Sequence, residues 1–212
     1  MNYVAAEVTS ASNNGHSVTF HLTGGKSVLT GGPLTGEYKL LQFHFHWGST
    51  NGQGSEHTLD GKQFAAELHL VHQNVKYESF AEAIKHQDGL SVIGVFLDVG
   101  NAHKAFESVT KVVSQVPNAG DSAQITGGID IMGLLPARKT YIHYLGSLTT
   151  PTLNECVYWI SLVTPVAISE AQIGAFRNTM HTGKGATAVE KLVDNWRPVQ
   201  NLAGRKLQIC QD

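Results

Sequence analysis

The run Gln42-Phe43-His44-Phe45-His46-Trp47 sets two histidines one residue apart, and Glu67-Leu68-His69 supplies a third. Neutral imidazoles are good zinc ligands, and three of them leave one position of a tetrahedral ion open for water, as in a catalytic site. Successive side chains of a β-strand point to opposite faces. His44 and His46 therefore share one face, and Phe43, Phe45 and Trp47 the other. His69 lies in a second alternating run, with Glu67 and Val71 on its own face and Leu68 and Leu70 opposite. Paired as neighbours, the two runs would bring the three imidazoles together. A His-x-His pair alone is often no more than two polar residues on a solvated face. Gln42 and Glu67 argue for more, because each lies two residues before a histidine on the same face. An acceptor placed there can hold an imidazole N–H and fix the ring's tautomer.

A different metal fold, the cupin barrel, also follows His-x-His with a carboxylate and often holds iron or manganese. With Glu56 or Glu67 as a ligand, the site would be a facial triad suited to iron-type chemistry. Three neutral imidazoles favour zinc, and no second cupin motif stands in the C-terminal half. The barrel is therefore the second reading.

The elements that must position these residues are mostly strands. Alternating or apolar runs fall at Val18 to Leu22, Lys39 to Trp47, Phe64 to His72, Leu90 to Val99, Thr140 to Tyr144 and Cys156 to Val163. Turn signals such as Asn14-Gly15, Gly24-Gly25, Gly31-Gly32-Pro33 and Asp60-Gly61 separate or flank many of them. Helical spacing of Ala105, Phe106, Val109, Val112, Val113 and Val116 predicts one helix. Ser169 is a plausible N-cap for a second, running through Ile173 and Phe176.

Composition fits a compact enzyme. The chain has 212 residues, 42% hydrophobic and 15% charged, which most simply form one domain with a substantial core. A formal net charge of −2 gives no basic footprint for nucleic acid and no polybasic membrane patch. No apolar run reaches membrane-spanning length, and Met1-Asn2-Tyr3-Val4 does not read as a signal peptide, so a cytoplasmic location is expected. The two cysteines, Cys156 and Cys210, do not make a disulfide framework and read as free thiols.

Five separated motifs now carry a family resemblance. They are Leu41-Gln42-Phe43-His44-Phe45-His46-Trp47-Gly48-Ser49, Gly54-Ser55-Glu56-His57-Thr58, Ala66-Glu67-Leu68-His69-Leu70-Val71-His72, Gly146-Ser147-Leu148-Thr149-Thr150-Pro151 and Val193-Asp194-Asn195-Trp196-Arg197-Pro198. Together, and in this order, they closely resemble the α-class carbonic anhydrases, from about Asn13 to the C-terminus. The resemblance implies a mainly β fold with peripheral helices (α+β): a central twisted, mostly antiparallel sheet carrying the metal in a cone-shaped cavity. Residues 1–212 would form a single such domain lacking the family's usual N-terminal segment.

For function, the resemblance implies zinc-dependent, reversible hydration of CO2 to bicarbonate and a proton by zinc hydroxide attack, a lyase activity of use in pH regulation. Weak ester hydrolysis would accompany it. His44, His46 and His69 would bind Zn2+, with Gln42, Glu67 and Asn195 as the partners that hold them. Thr149 would accept a hydrogen bond from the zinc hydroxide and donate its own proton to Glu56. Val71, Val92, Leu148, Val157 and Trp159 would form an apolar wall for CO2, with Thr149 and Thr150 also at the substrate. On residue type alone, those five apolar residues read as ordinary core. His16 falls where fast members of the family keep a proton shuttle, and His57 reads as a buried partner of the site. The other histidines, His21, His72, His86, His103, His143 and His181, read as structural or surface residues. Sulfonamide-type inhibitors are expected to bind, and a monomer is expected unless a partner covers the N-terminal gap.

Three departures from the family pattern stand out. Thr152 replaces a second proline that often carries a cis bond, and a non-proline residue favours trans by about 2.5–4 kcal/mol. Leu153 lies where secreted relatives commonly carry a paired cysteine. The family's several dozen residues before Asn13 have no counterpart, so uncovered apolar surface, lower stability and reduced activity are expected. The competing class is a catalytically weak or inactive relative, a binding or mineral-matrix domain that keeps the fold.

Overall fold

The computed structural model describes residues 1–211. Among them the strands are β1 (Val8–Asn13), β2 (Val18–Leu22), β3 (Val28–Leu29), β4 (Tyr38–Trp47), β5 (Ala66–Asn74), β6 (Leu90–Val99), β7 (Ser122–Gln124), β8 (Tyr141–Gly146), β9 (Val157–Ile168) and β10 (Gln208–Cys210). Three helices accompany them: α1 (Phe80–Ala83), α2 (Phe106–Val113) and α3 (Glu170–Arg177). The strands form one sheet in the order β10-β8-β9-β6-β5-β4-β2-β1-β7, with β3 paired to β4. Every pairing is antiparallel except β6 with β9. An open sheet with two edges is not a cupin barrel, and that reading falls.

Alternation along β4 and β5 divides the molecule. One face of the sheet carries Phe43, Phe45, Trp47, Leu68, Leu70, Ile93, Val95 and Leu97 into the main core, all fully buried. Phe20 stacks on Phe43 with ring centroids 4.6 Å apart, and Phe45 meets Phe106 of α2 and Phe176 of α3. Burying a side chain of this size stabilises by roughly 1.5–3 kcal/mol, so these strands are held firmly from behind. The other face carries His44, His46 and His69.

α2 is amphipathic as its spacing predicts, burying Phe106, Val109, Val112 and Val113. It is shorter than the apolar run because Pro117 cannot continue it, and turns carry the chain through Val116. α3 begins on a capping box: the Ser169 hydroxyl accepts from the Gln172 main chain while the Gln172 side chain accepts from the Ser169 main chain. The Pro151–Thr152 peptide is cis, not the trans form expected of a threonine. Cys156 is buried, Cys210 is half-buried, and both are free thiols. No described helix is long and apolar enough to cross a membrane.

Candidate metal centre

Register brings the three histidines together. His44 of β4 lies directly opposite His69 of β5, and His46 lies opposite Glu67. Their ring centroids are 5.1 Å (His44–His46), 5.3 Å (His44–His69) and 4.7 Å (His46–His69) apart. One ligand nitrogen from each falls within 4.8 Å of the others. His46 and His69 are buried and His44 is half-buried.

Each ring is fixed by its outer nitrogen. His44 Nδ1 donates to Gln42 Oε1 (2.9 Å), His46 Nδ1 to the Asn195 carbonyl (2.7 Å) and His69 Nε2 to Glu67 Oε1 (2.8 Å). These acceptors can take only an N–H, so they set the tautomers. Nε2 of His44, Nε2 of His46 and Nδ1 of His69 are left with lone pairs for a shared ion. His46 Nε2 is buried and has no hydrogen-bond partner among the described residues. Such an orphaned acceptor is costly unless something occupies it, and a cation does so. Burial, with the neighbouring imidazoles adding to it, holds His44 well below the ordinary histidine range. Burial also lowers His46, against the pull of Glu56. Both are therefore neutral at physiological pH, the form that binds metal. The donor set fits zinc.

Glu67 is the hub behind the triad. Besides His69, its carboxylate accepts from His57 Nδ1 (2.7 Å) and from the main-chain N–H groups of Glu56 and His57 (2.9 Å each). Burial disfavours its charge, but His57, His69 and their hydrogen bonds outweigh this and hold it well below the usual carboxylate range. The same pairing raises His57 above the usual imidazole value, although its burial acts in the opposite sense. Gly94 of β6 faces His69, and a Cβ there would come within 2.9 Å of Glu67 Oε1. Only glycine leaves room for the carboxylate.

Glu56 and Thr149 are nearby but are not hydrogen-bonded to each other. Glu56 Oε1 accepts from the Arg197 main chain (2.7 Å). Its Oε2 has no hydrogen-bond partner among the described residues and lies 3.3 Å from His46 Nε2 and 3.8 Å from His69 Nδ1. Both Glu56 and Thr149 line a cavity of about 910 Å³, together with His57, Tyr144, Trp159 and Arg197. The three candidate ligands do not line it, so the cavity abuts the centre from the Glu56 side. Thr149 is half-buried and Thr150 exposed.

Val71, Val92, Val157 and Trp159 are buried in a small apolar cluster separate from the main core, with Leu148 packed against it. Trp159 places this cluster beside His69, with ring centroids 4.8 Å apart. His16 is exposed, and its main-chain carbonyl accepts from Asn195 Nδ2 (2.8 Å). Asn195 thereby ties the His16 turn to the candidate ligand His46.

Sequence reasoning missed Tyr144, whose hydroxyl meets His57 Nε2 at 2.5 Å. Its place in the alternating run before Gly146 was the available signal. It also missed the Arg197 main-chain contact with Glu56, which no residue type could announce.

An open mixed sheet carrying a three-histidine centre, two of its rings buried and one half-buried, with tautomer-fixing partners is the architecture expected of a carbonic anhydrase, and residues 1–211 match the eukaryotic-type carbonic anhydrase family, to which the chain belongs. Over 208 residues it is 47% identical to carbonic anhydrase 7 of Homo sapiens, an alignment covering 97% of this chain and 78% of that protein.

Proposed function

We propose that this chain catalyses the reversible hydration of CO2 to bicarbonate and a proton at a zinc ion held by His44, His46 and His69. One observation carries this reading: three imidazoles converge with their outer nitrogens taken by fixed acceptors, while a buried inner nitrogen has no partner among the described residues. A bound zinc ion supplies the Lewis acidity that makes a water molecule nucleophilic near neutral pH.

The chain's own residues do the rest. Gln42, Glu67 and the Asn195 carbonyl keep each ring in its ligating tautomer. Val71, Val92, Leu148, Val157 and Trp159 offer an apolar wall beside His69, suited to a small molecule that makes few hydrogen bonds. With the two side chains brought into contact, Thr149 would donate its hydroxyl proton to Glu56, leaving its oxygen lone pairs to orient the nucleophile. The support is that both line one cavity and that Glu56 Oε2 has an unmet need for a donor. His16, exposed on a turn tied to Asn195, carries the released proton outward. Sulfonamide-type inhibitors bind at the same centre.

A slow or inactive relative is the second reading. The lack of a hydrogen bond between Glu56 and Thr149 favours it, since Glu56 Oε1 is taken by the Arg197 main chain and nothing yet fixes the Thr149 hydroxyl on Oε2. CO2 hydration by the purified, zinc-loaded chain separates the two. Turnover well above the uncatalysed rate, abolished by chelation, supports the enzyme; a zinc-loaded chain without it supports the binding domain.

A further inference from the structure

His181 reads in the sequence as a structural or surface residue, and the fold sets it against His16. Their ring centroids are 5.7 Å apart and the planes inclined at 57°, and both residues are exposed. Neither side of the pair is loosely placed. The His16 main-chain N–H donates to Asn14 Oδ1 (2.8 Å), and its carbonyl accepts from Asn195. His181 is held by its main-chain N–H to the Glu190 carbonyl (2.8 Å), while Met180 before it bonds the Pro117 carbonyl (2.6 Å) and accepts from Asn13 Nδ2 (3.1 Å). Gly15 is where the two segments press together: its φ is +82°, and a Cβ there would lie 3.3 Å from the His181 carbonyl.

The ring of His181 is also oriented. Its Nδ1 bonds the Gly15 carbonyl at 2.5 Å, and a carbonyl accepts only, so Nδ1 carries the proton. Nε2 is then the basic nitrogen of the neutral ring. The charged groups around the pair are Glu190, opposite His181; Lys191, whose ammonium donates to Asn178 Oδ1; Lys184 on the following turn; and Asp121, whose carboxylate is held by Asn118.

We propose that His181 is a second proton-carrying station acting through His16. This rests on the carbonic anhydrase reading of the site. A proton taken up by His16 passes, through at most one bridging water, to His181 Nε2. His16 returns to its neutral form, and His181 becomes an imidazolium whose Nδ1–H keeps its bond to Gly15. Buffer then removes the proton from Nε2, restoring neutral His181. The role is hand-off and positioning, away from the reacting atoms.

The test uses the zinc-loaded full chain and compares wild type with H181A, H181Q, H16A and H16A/H181A in dilute and in imidazole-rich buffer. Expected in dilute buffer is a fall in kcat of about threefold to tenfold for H181A and H181Q, with kcat/KM for CO2 unchanged. Imidazole should restore kcat, and the double variant should be no slower than H16A. Unchanged kcat in dilute buffer for both His181 variants, alongside a slow H16A, overturns the relay and leaves the active-site reading standing. An equal fall in kcat/KM that imidazole does not repair also overturns it, showing a structural role. A wild type without CO2 hydration overturns the active-site reading and the relay together.

Discussion

The sheet centre and the C-terminal wall are built to different standards. In β5 every side chain is buried and in β4 and β6 most are, each candidate ligand has its outer partner, and an aromatic core backs the strands. The wall formed by residues 196–211 has little regular structure before β10. It exposes Val199, Leu202, Leu207 and Ile209 at 48–69% of their surface. Two buried polar atoms without partners among the described residues, Trp196 Nε1 and Glu56 Oε2, lie on or against it. On the proposed function, metal binding would depend on the strand-held region, while orientation of the nucleophile would depend on Glu56 and Thr149 beside the cavity. The two properties should be separable by mutation.

The largest effect should come from the rigid side. Replacing His44, His46 or His69 with Ala removes one of three donors. If zinc binding is worth on the order of 10 kcal/mol, each donor carries about 3 kcal/mol, so affinity should fall by roughly 100-fold or more. Competition with a chromophoric chelator measures this.

The next effect belongs to the other side. Thr149→Ala and Glu56→Ala should each lower CO2 hydration by about 100-fold, the scale of losing one positioned polar group, with zinc retained. Zinc loss from correctly folded Glu56→Ala would instead make Glu56 a ligand, in keeping with its 3.3 Å approach to His46.

Glu67→Gln keeps an acceptor but removes the charge, and should weaken zinc binding by about 10–100-fold. It should also flatten the pH dependence of zinc-free stability. Glu67 is depressed, so its contribution is present above its unfolded value near 4.5 and is lost as pH falls through the folded one. His57 is raised, so its contribution is full below its unfolded value near 6.5 and is lost as pH rises through the folded one. The buried histidines with lowered values, such as His44 and His46, shift the wild-type optimum themselves, so the pair is read as a difference: the gap in melting temperature between wild type and Glu67→Gln should be widest between these two values. A gap that does not change with pH would contradict the hub.

Packing gives a contrast read in stability alone, with the smallest single effect on the wall. Leu68→Ala in the core should cost about 2–5 kcal/mol, whereas Ile209→Ser, at 69% exposure, should stay within about 0.5 kcal/mol. Urea denaturation of both variants checks it. A large cost at Ile209 would show that the wall is covered in solution.

Much of the rigid side was legible because it is local. Period-two alternation placed His44 and His46 on one face, and a single register then fixed His69 opposite. The capping pair Ser169 and Gln172 and the apolar face of α2 are likewise short-range patterns. What escaped is long-range or main-chain. His46 finds a carbonyl 149 residues away in the sequence, and Glu56 finds the Arg197 N–H 141 residues away. The β6–β9 parallel pairing, the His16–His181 contact and the cis bond at Thr152 depend on tertiary context. β1, with its Thr9-Ser10-Ala11-Ser12 stretch, and β10 carry too little apolar alternation to declare themselves.

The central claim is that three imidazoles hold one catalytic zinc. Stepwise zinc addition to the chelator-stripped chain, with bound metal and CO2 hydration read on the same samples, tests it directly. Activity rising in proportion to zinc and levelling at one ion per chain is the predicted result. Zinc uptake to one per chain with no gain in hydration, or hydration that persists in the stripped chain, would contradict it.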